Sequence, residues 1–268
     1  MLTEMRDAVL GFTTRKLVNL ARRAIDHPTW LRETARSRIR ARLDHRRPFS
    51  LTDHYRYLGT AEETVTTAYG ISAERFGELS ARVQVPRRDD GDRWSGGADL
   101  LTLAGVVVLL TRPQTVVETG VALGFTSAVI LAALEENGGG QLHSVDLPPL
   151  EVDPTFVGQV VPQQLRGRWS LRLGPTRTVL PALTRAIAPI DLFVHDSDHS
   201  YAGQIEDYRF AWPSLVAGGT FISDDIGNAA FLDFAAEVGE QPYLVGSRAH
   251  GAAVGLLVKG RGHLPRIP

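Results

Sequence analysis

The chain contains no cysteine. Disulfide bonds, thiolate metal sites and cysteine nucleophiles are therefore excluded. This composition is consistent with the reducing cytoplasm, which is the location we predict. Long apolar runs are also missing, because the longest one, from Leu100 to Leu110, is interrupted by Thr102 and Gly105. A membrane-spanning helix needs about 20 predominantly apolar residues, so the sequence predicts no membrane span.

Lysine is almost absent, and the charges are unevenly distributed. Residues 1–50 hold 12 Lys/Arg against 5 Asp/Glu, whereas the remaining 218 residues hold 17 against 25. A basic segment can bind nucleic acid or anionic lipid. Here the arginines alternate with apolar residues at helical spacing, as at Leu31, Ala35 and Ile39, which favours solvated faces of amphipathic helices. We therefore expect no nucleic-acid partner, and leave open a peripheral contact of residues 1–50 with an anionic membrane.

The chain divides into two regions. Residues 1–95 have helical spacing broken at His27-Pro28, Arg47-Pro48 and Gly70, without strand-like alternation. A helix is predicted after Ser72, a suitable N-cap, with Phe76 and Leu79 on one face. We predict that residues 1–95 form an N-terminal helical segment. This segment is either a lid over the binding site or an oligomerisation surface, and in the second case the protein forms a homo-oligomer.

Residues 96–268 alternate between helix and strand patterns. Helices are predicted over 99–110, 126–134, 179–188, 205–215 and 229–238, and strands over 115–118, 141–145, 170–173, 191–195, 219–223, 243–245 and 253–258. The crossovers are long enough for parallel pairing, which predicts the α/β class and a Rossmann-like doubly wound, mostly parallel seven-stranded sheet. The short connection between the last two strands predicts an antiparallel edge hairpin.

A glycine-containing turn follows the first of these strands. It reads Glu118-Thr119-Gly120-Val121-Ala122-Leu123-Gly124, and glycines allow the backbone to approach a ligand closely. The pattern lacks the third glycine of the dinucleotide fingerprint, and an acidic Glu118 repels a pyrophosphate but suits a cationic amino-acid group. Asp146 ends the next strand, where an acidic side chain can accept hydrogen bonds from ribose hydroxyls. A tight turn without a ligand is the alternative.

These segments resemble class I S-adenosylmethionine-dependent methyltransferases, and more narrowly the small-molecule O-methyltransferases that include macrolide-sugar and cephalosporin-cluster enzymes. The resemblance covers residues 96–268 and is carried by VVETGVALGFTS, HSVDLP, IDLFVHDSDHSYAG and GGTFISDDIGN. It implies that S-adenosylmethionine is the cofactor, held by Glu118, Gly120, Gly124, Ser127 and Asp146.

The chain departs from the family pattern after the third strand. Similar enzymes often carry an acidic residue there that contacts adenine, whereas this chain reads Leu173-Gly174-Pro175-Thr176. Backbone groups or Thr176 are therefore expected to recognise the adenine.

Carboxylates follow the fourth and fifth strands, at Asp196 and at Asp224-Asp225. Neighbouring parallel strands lie about 4.8 Å apart, so these groups can converge. Uncompensated carboxylates repel each other and raise each other's pKa, and a bound divalent cation removes this repulsion. Oxygen ligands suit Mg²⁺ or Mn²⁺, and similar methyltransferases use an Asp after strand four and an acidic pair after strand five. The alternative is that Asp198 caps one helix and Asp224 or Asp225 caps the next.

His199 and Asp198 are the candidate bases. The ordinary pKa of histidine, about 6.5, leaves His199 ready to accept a proton at neutral pH, whereas Asp198 needs a raised pKa. His195 is expected to be a buried structural group, because it faces the other side of its strand.

The resemblance implies a small hydroxylated acceptor, and favours a sugar or glycoside over a catechol. The N-terminal segment is expected to cover the acceptor, with candidate lining residues Tyr55, Tyr57, Tyr69, Phe76 and Trp94. An NAD-dependent oxidoreductase on a similar scaffold and a non-catalytic scaffold protein are the alternatives.

Overall fold

The computed structural model describes residues 58–83, 97–148, 153–246 and 253–260, together with positions 32, 35, 36, 39, 40 and 44. Of the predicted helical segment 1–95, most of residues 1–57 and all of residues 84–95 lie outside these residues. None of the helices in the described ranges is long and apolar enough to cross a membrane.

A single sheet of eight strands organises the described residues. The strands are β1 (Leu58–Gly59), β2 (Thr115–Thr119), β3 (Gln141–Asp146), β4 (Trp169–Leu173), β5 (Ile190–His195), β6 (Leu215–Ser223), β7 (Tyr243–Gly246) and β8 (Ala253–Val258). Their spatial order is β1-β7-β8-β6-β5-β2-β3-β4. β8 runs antiparallel to both neighbours, and the other pairs are parallel. The doubly wound, mostly parallel fold predicted from the sequence is therefore confirmed.

Helices cover both faces of the sheet. They are α1 (Ala61–Tyr69), α2 (Ala73–Arg82), α3 (Ala98–Thr111), α4 (Phe125–Glu136), α5 (Thr176–Ile187), α6 (Tyr201–Ala211) and α7 (Ala230–Val238). The first four share one apolar core with the sheet, and the last three share the other. α3 is buried over most of its surface because its sequence is apolar on all sides.

The eighth strand, β1, comes from the N-terminal region. Its two residues pair in parallel with Leu244 and Val245 of β7, so the β7–β8 pair is not the outermost element. The seven strands predicted within residues 96–268 are all present. The extra strand was not predicted because two residues carry no alternation of apolar and polar side chains.

Residues 58–83 pack into the core of the sheet. Thr60 caps α1 in a capping box with Glu63, and Ser72 caps α2 as predicted. Val65 and Phe76 are buried against the core that α3 and α4 also share. The boundary near residue 95 stays a prediction, and these contacts show that part of the N-terminal region shares the core of the fold.

Within residues 96–268, the observed helix starts differ from the predicted ones by one to four residues. Asp99, predicted as the first residue of its helix, lies within the first turn of α3, which begins at Ala98. α6 begins after Ser200, whose hydroxyl caps it, four residues before the predicted start at Ile205. The apolar periodicity indicated the buried face of α6, whereas the polar cap decided where the helix begins.

Candidate active site

The candidate loops lie where the strand order reverses. β3 and β4 follow β2 on one side, and β5 and β6 lie on the other. The carboxyl ends of β2 and β5 therefore flank the switch point, where ligands bind in open α/β sheets. Glu118 is in register with Val194, and Thr119 with His195. The glycine turn and the acidic loop that begins at Asp196 thus leave the sheet side by side.

Gly120 is required by the neighbouring backbone. Its φ is 83°, in the left-handed region, and a β-carbon there would collide with the carbonyl oxygen of Asp196. The Gly120 N–H donates to Val145 O at 2.8 Å, and the Asp196 N–H donates to Thr119 O at 2.7 Å. The turn after β2 and the loop after β5 are therefore in direct backbone contact.

Gly124 is the N-cap residue that precedes α4, and its φ is 94°. A β-carbon at this position would lie 2.8 Å from the Cα of Gly158, which belongs to the segment between β3 and β4. This segment is bonded to the turn, because the Gly158 N–H donates to Ala122 O at 2.8 Å. The glycine turn is thus held from outside before any ligand binds.

Glu118 is a fully buried carboxyl group at the end of β2. Its Oε2 accepts hydrogen bonds from Ser127 Oγ at 2.6 Å and from Ser144 Oγ at 2.7 Å. Its Oε1 is buried and has no partner among the described residues. Burial raises the pKa of Glu118 to about 8, against the lowering effect of the two serine hydrogen bonds. One unsatisfied oxygen in a buried carboxyl suits a cationic group of a ligand.

Ser144 and Trp169 orient Glu118, and the sequence analysis did not identify them. Trp169 Nε1–H donates to Ser144 Oγ at 2.9 Å, which directs the serine hydroxyl hydrogen to Glu118. Ser144 lies two residues before Asp146 on β3, on the same face of the sheet, so strand alternation was a usable signal for it. Ser127 contacts Glu118 directly, and its role in holding the cofactor stays a prediction.

Asp146 shapes the glycine turn. Its Oδ2 accepts from the backbone N–H groups of Val121 at 2.7 Å and Ala122 at 2.9 Å. The Gly174 N–H donates to Asp146 O at 2.8 Å, which brings half-buried Thr176, the first residue of α5, to the same edge. The structure therefore groups Asp146, Thr176 and the turn, while their contacts with ribose and adenine stay predictions.

The acidic residues after β5 and β6 come together as expected from adjacent strand ends. The Asp224 N–H donates to His195 O at 2.8 Å. His199 lies between two carboxylates: its Nδ1 is 3.0 Å from Asp225 Oδ2, and its Nε2 is 3.3 Å from Asp196 Oδ1. The contact to Asp196 is the poorer one, because Nε2 has no hydrogen bond of good geometry within the described residues.

The charges of this cluster shift each other's pKa. Burial lowers the pKa of His199, but contacts with Asp196 and Asp225 outweigh burial and raise the pKa to about 10. Burial raises the pKa of Asp224, and the charges of Asp196 and Asp225 raise it further. The hydrogen bond from His199 lowers the pKa of Asp225. In this arrangement the imidazole is protonated at neutral pH and compensates part of the negative charge.

The arrangement of these side chains differs from that of a metal centre. Within the described ranges, no group of three or more His, Cys, Asp or Glu side chains is placed to hold a metal ion. The His199 ring stands between Asp196 and Asp225. Carboxylate oxygens are nevertheless the donors that Mg²⁺ prefers, so a cation here requires the ring to move. The ligand roles of Asp196, Asp224 and Asp225 stay predictions.

Asp198 lies at the beginning of α6. Its Oδ1 accepts from the Ser200 N–H at 3.0 Å, and its carboxylate packs so closely on Gly203 that a β-carbon there would collide with it. Ser200 caps the helix by accepting from the Gly203 N–H at 3.1 Å. A carboxylate is stabilised at a helix N-terminus, so this placement is consistent with a capping role. The role of Asp198 as a base stays a prediction.

His195 is a fully buried structural group, as expected. Its Nε2 lies 3.4 Å from Asp207 Oδ2, and Ser197 Oγ donates to the same oxygen at 2.9 Å. Asp207, which the sequence analysis did not identify, therefore anchors the acidic loop from within the core.

The proposed acceptor-lining aromatic residues have mixed positions. Phe76 packs in the core, and the Tyr69 hydroxyl contacts the Thr220 hydroxyl. Tyr55, Tyr57 and Trp94 lie outside the described residues. Phe76 therefore contributes to stability, because it is buried in the core that α1 to α4 share with the sheet.

Comparison with known proteins agrees with this geometry. Residues 117–226 match the model of a family described as a methyltransferase domain. An O-methyltransferase from Bacillus cereus in complex with SAH has a similar structure, with a TM-score of 0.51 and 15% identity over 75% of this chain and 98% of that chain. An O-methyltransferase from Streptomyces achromogenes, involved in tomaymycin synthesis and bound to SAM, has a TM-score of 0.51 and 16% identity over 77% of this chain and 98% of that chain. No curated protein sequence matches this chain.

At these identities the structural similarity establishes the fold. Residues 117–226 match a methyltransferase domain model, and the fold is the one that the resemblance to class I S-adenosylmethionine-dependent methyltransferases predicted. The matched range contains the glycine turn and both acidic loops.

Proposed function

We propose that this protein is a class I S-adenosylmethionine-dependent O-methyltransferase. It methylates a hydroxyl of a sugar, glycoside or other small natural product with the help of Mg²⁺ or Mn²⁺. The proposal rests chiefly on Glu118, a buried carboxyl with one unpartnered oxygen at the switch point of the sheet. The solved neighbours from B. cereus and S. achromogenes, O-methyltransferases with SAH and SAM, support it. A cytoplasmic location belongs to the same proposal.

The residues at the end of β2 fit the proposed cofactor. Glu118 Oε1 is the acceptor for the cationic amino-acid part, because burial without a partner makes this oxygen costly to leave unsatisfied. Asp146 and Thr176 lie at the edge where the ribose and adenine are expected. Gly120 and Gly124 keep the turn close to the protein backbone, so the turn is already formed for the ligand.

Bound S-adenosylmethionine would supply an electrophilic methyl group for in-line displacement, in which the carbon–oxygen bond forms as the carbon–sulfur bond breaks. The main task of the protein is to align the reacting oxygen with that methyl group and to exclude competing positions. His199 or Asp198 takes the hydroxyl proton. His199 is protonated while its ring lies between Asp196 and Asp225, so it accepts a proton at neutral pH only when the ring has left these carboxylates. His199 and Asp198 lie on the loop after β5, and the Gly120–Asp196 contact places this loop beside the cofactor turn.

Asp196, Asp224 and Asp225 would hold the divalent cation. Bound there, the cation supplies Lewis acidity, which lowers the pKa of the acceptor hydroxyl. Burial is the main cause of the raised pKa of Asp224, and repulsion by Asp196 and Asp225 raises it further, against the lowering effect of His199. This residual repulsion is the physical reason to include a cation in the proposal.

A cavity beside α6 is a candidate place for part of the acceptor. Its volume is about 490 Å³, and its lining includes Tyr201, two residues after His199, and the ion pair between Arg40 and Glu206. The backbone N–H of Tyr201 also contacts the carboxylate of Asp44. Described positions of the N-terminal region thus lie against α6, which supports the proposal that this region covers the acceptor.

The direct test is a methyl-transfer screen against hydroxylated glycosides, with and without EDTA, together with calorimetric titration of S-adenosylmethionine and NAD. The proposal expects binding of S-adenosylmethionine only, and metal-dependent transfer to at least one glycoside. Binding of NAD instead would support the oxidoreductase alternative. Failure to bind either molecule at millimolar concentration would support a non-catalytic scaffold.

A further inference from the structure

Two amide side chains, one of them fully buried, connect the loops that carry the ionisable residues of the site. Gln204 on α6 is fully buried, and its Nε2 donates to the backbone carbonyls of Asp224 at 3.2 Å and Asp225 at 3.3 Å. Its Oε1 accepts from Asn228 Nδ2 at 2.8 Å. Asn228 Nδ2 also donates to the carbonyl of His199 at 2.8 Å. The two amides form a continuous bridge from the loop after β5 to the loop after β6.

The bridge supports an unfavourable backbone conformation. Asp225 has a φ of 47°, in the left-handed region that a residue with a β-carbon adopts only when its surroundings hold it there. The Gln204 amide donates to the carbonyl oxygens of Asp224 and Asp225, which belong to the peptide groups before and after Asp225. This conformation directs the Asp225 carboxylate to His199, 3.0 Å away.

We infer that Gln204 and Asn228 are positioning residues, which fix the distance between His199 and the Asp224–Asp225 pair. An amide is the side chain required, because each position must donate and accept at once. The inference deepens the proposed methyl transfer and rests on it for the catalytic consequence. The geometric part, that the bridge sets the relation of the two loops, is independent of the reaction.

Asn228 has a second role that a test must separate. Its Oδ1 accepts from the Ala230 N–H at 2.7 Å, two residues on, which is an Asx turn before α7. A serine hydroxyl can form the same kind of turn but cannot donate to both His199 O and Gln204 Oε1. Asn228→Ser therefore keeps the turn and removes most of the bridge. Gln204→Met removes the other half at similar side-chain volume.

Asn137 provides a matched control. Its Nδ2 donates to Val108 O at 2.7 Å, at the end of α4 opposite the cofactor turn. Asn137→Ser thus removes an amide-to-carbonyl hydrogen bond of the same kind outside the site. Any loss that comes only from general destabilisation will appear in this variant as well.

The experiment compares the full-length wild type with Asn228→Ser, Gln204→Met and Asn137→Ser. It measures thermal unfolding, calorimetric affinity for S-adenosylmethionine, hydrogen–deuterium exchange over residues 224–228, and kcat with an acceptor found in the glycoside screen. Both bridge variants are expected to bind cofactor as the wild type does. They should exchange faster over 224–228 and lose about 10–100-fold in kcat, because displacements near 1 Å have effects of that size. The control should keep wild-type exchange and kcat.

Wild-type kcat and wild-type exchange in both folded bridge variants would overturn the inference. A loss of kcat that Asn137→Ser shares would overturn it as well, since destabilisation alone then explains the effect. If the wild type transfers no methyl group to any acceptor, the proposed function fails, and the exchange comparison still decides whether the bridge positions the two loops.

Discussion

His199 Nδ1 lies 3.0 Å from Asp225 Oδ2, and this contact joins the loop after β5 to the loop after β6. The other nitrogen of the same ring faces Asp196. The candidate base therefore stands between two of the carboxylates that are proposed to hold a cation. Experiments on the base and on the cation must be designed together, because a change in one alters the charge around the other.

Replacing His199 with Gln should reduce turnover by about 10²–10⁴-fold, the usual contribution of a positioned proton acceptor. Cofactor affinity should persist, because His199 contacts neither Glu118 nor the glycine turn. Asp198→Asn should have the smaller effect if Asp198 serves mainly the start of α6, where its Oδ1 accepts from Ser200. Near-wild-type turnover in His199→Gln with an inactive Asp198→Asn would assign the base to Asp198.

Removal of divalent cations should abolish turnover, and Mg²⁺ or Mn²⁺ should restore it. Asp224→Asn should raise the cation concentration needed for half-maximal rate, because the substitution removes one charged oxygen ligand. The measurement is turnover in EDTA-treated protein with its metal content analysed, across a titration of each cation. Full turnover in metal-free protein would leave a base mechanism without a cation.

Glu118→Gln should weaken binding of S-adenosylmethionine by about 1–3 kcal/mol, the usual loss for a hydrogen bond to a charged group. The wild-type affinity should also depend on pH. The carboxyl of the free protein is protonated below its raised pKa of about 8, and a cationic ligand favours the ionised form, so binding releases a proton and the affinity rises with pH.

The pH dependence is best measured by calorimetry between about pH 5.5 and 7.5, below the range of about 7.7–8.0 in which an α-amino group titrates. The matched Gln variant should show a flat profile over this window. Equal affinities and equal profiles in both proteins would remove Glu118 from the cofactor site.

Trp169→Phe should cause a small loss of cofactor affinity, of about 0.5–1.5 kcal/mol, because it removes one hydrogen bond. The phenyl ring keeps apolar volume beside Gly158, while the indole N–H donation to Ser144 is lost. Ser144→Ala, which removes the donor to Glu118 itself, should cost more. The order of the two effects, measured by titration with S-adenosylmethionine, tests whether the tryptophan acts through the serine.

Deletion of residues 1–50 should leave a folded protein that binds cofactor but does not turn over acceptor. Deletion of residues 1–95 should prevent folding, because it also removes β1, α1 and α2 with Val65, Phe76 and Leu79. Each buried side chain of this kind contributes about 1.5–3 kcal/mol, against a typical total stability of about 5–15 kcal/mol. Thermal unfolding of both truncations is the measurement. A folded 96–268 fragment would show that residues 96–268 fold independently of the N-terminal region.

The elements that carry a strong periodic signal were predictable from the sequence. β5 and its acidic end follow from the buried run that precedes Asp196, and parallel pairing places Asp224 beside it. Ser72 was recognisable because a serine before helical spacing is a direct capping signal.

The contacts made across the chain were not predictable in the same way. Gln204 appears in the sequence as an ordinary helical residue, and only the fold brings it to the carbonyls of Asp224 and Asp225. Trp169 reaches Ser144 through pairing of neighbouring strands. The position of His199 between two carboxylates depends on loop conformations, including the left-handed Asp225, which a pattern of residue types does not determine.

The close packing of Gly120 on Asp196 has a consequence for how the protein moves. Since there is no space between the two backbones at this point, the glycine turn cannot shift toward the acidic loop unless the loop shifts with it. A ligand that displaces the glycine turn or the acidic loop therefore also displaces the other segment. Coupling between the ligands bound at the two segments is an expected consequence of this contact between main chains.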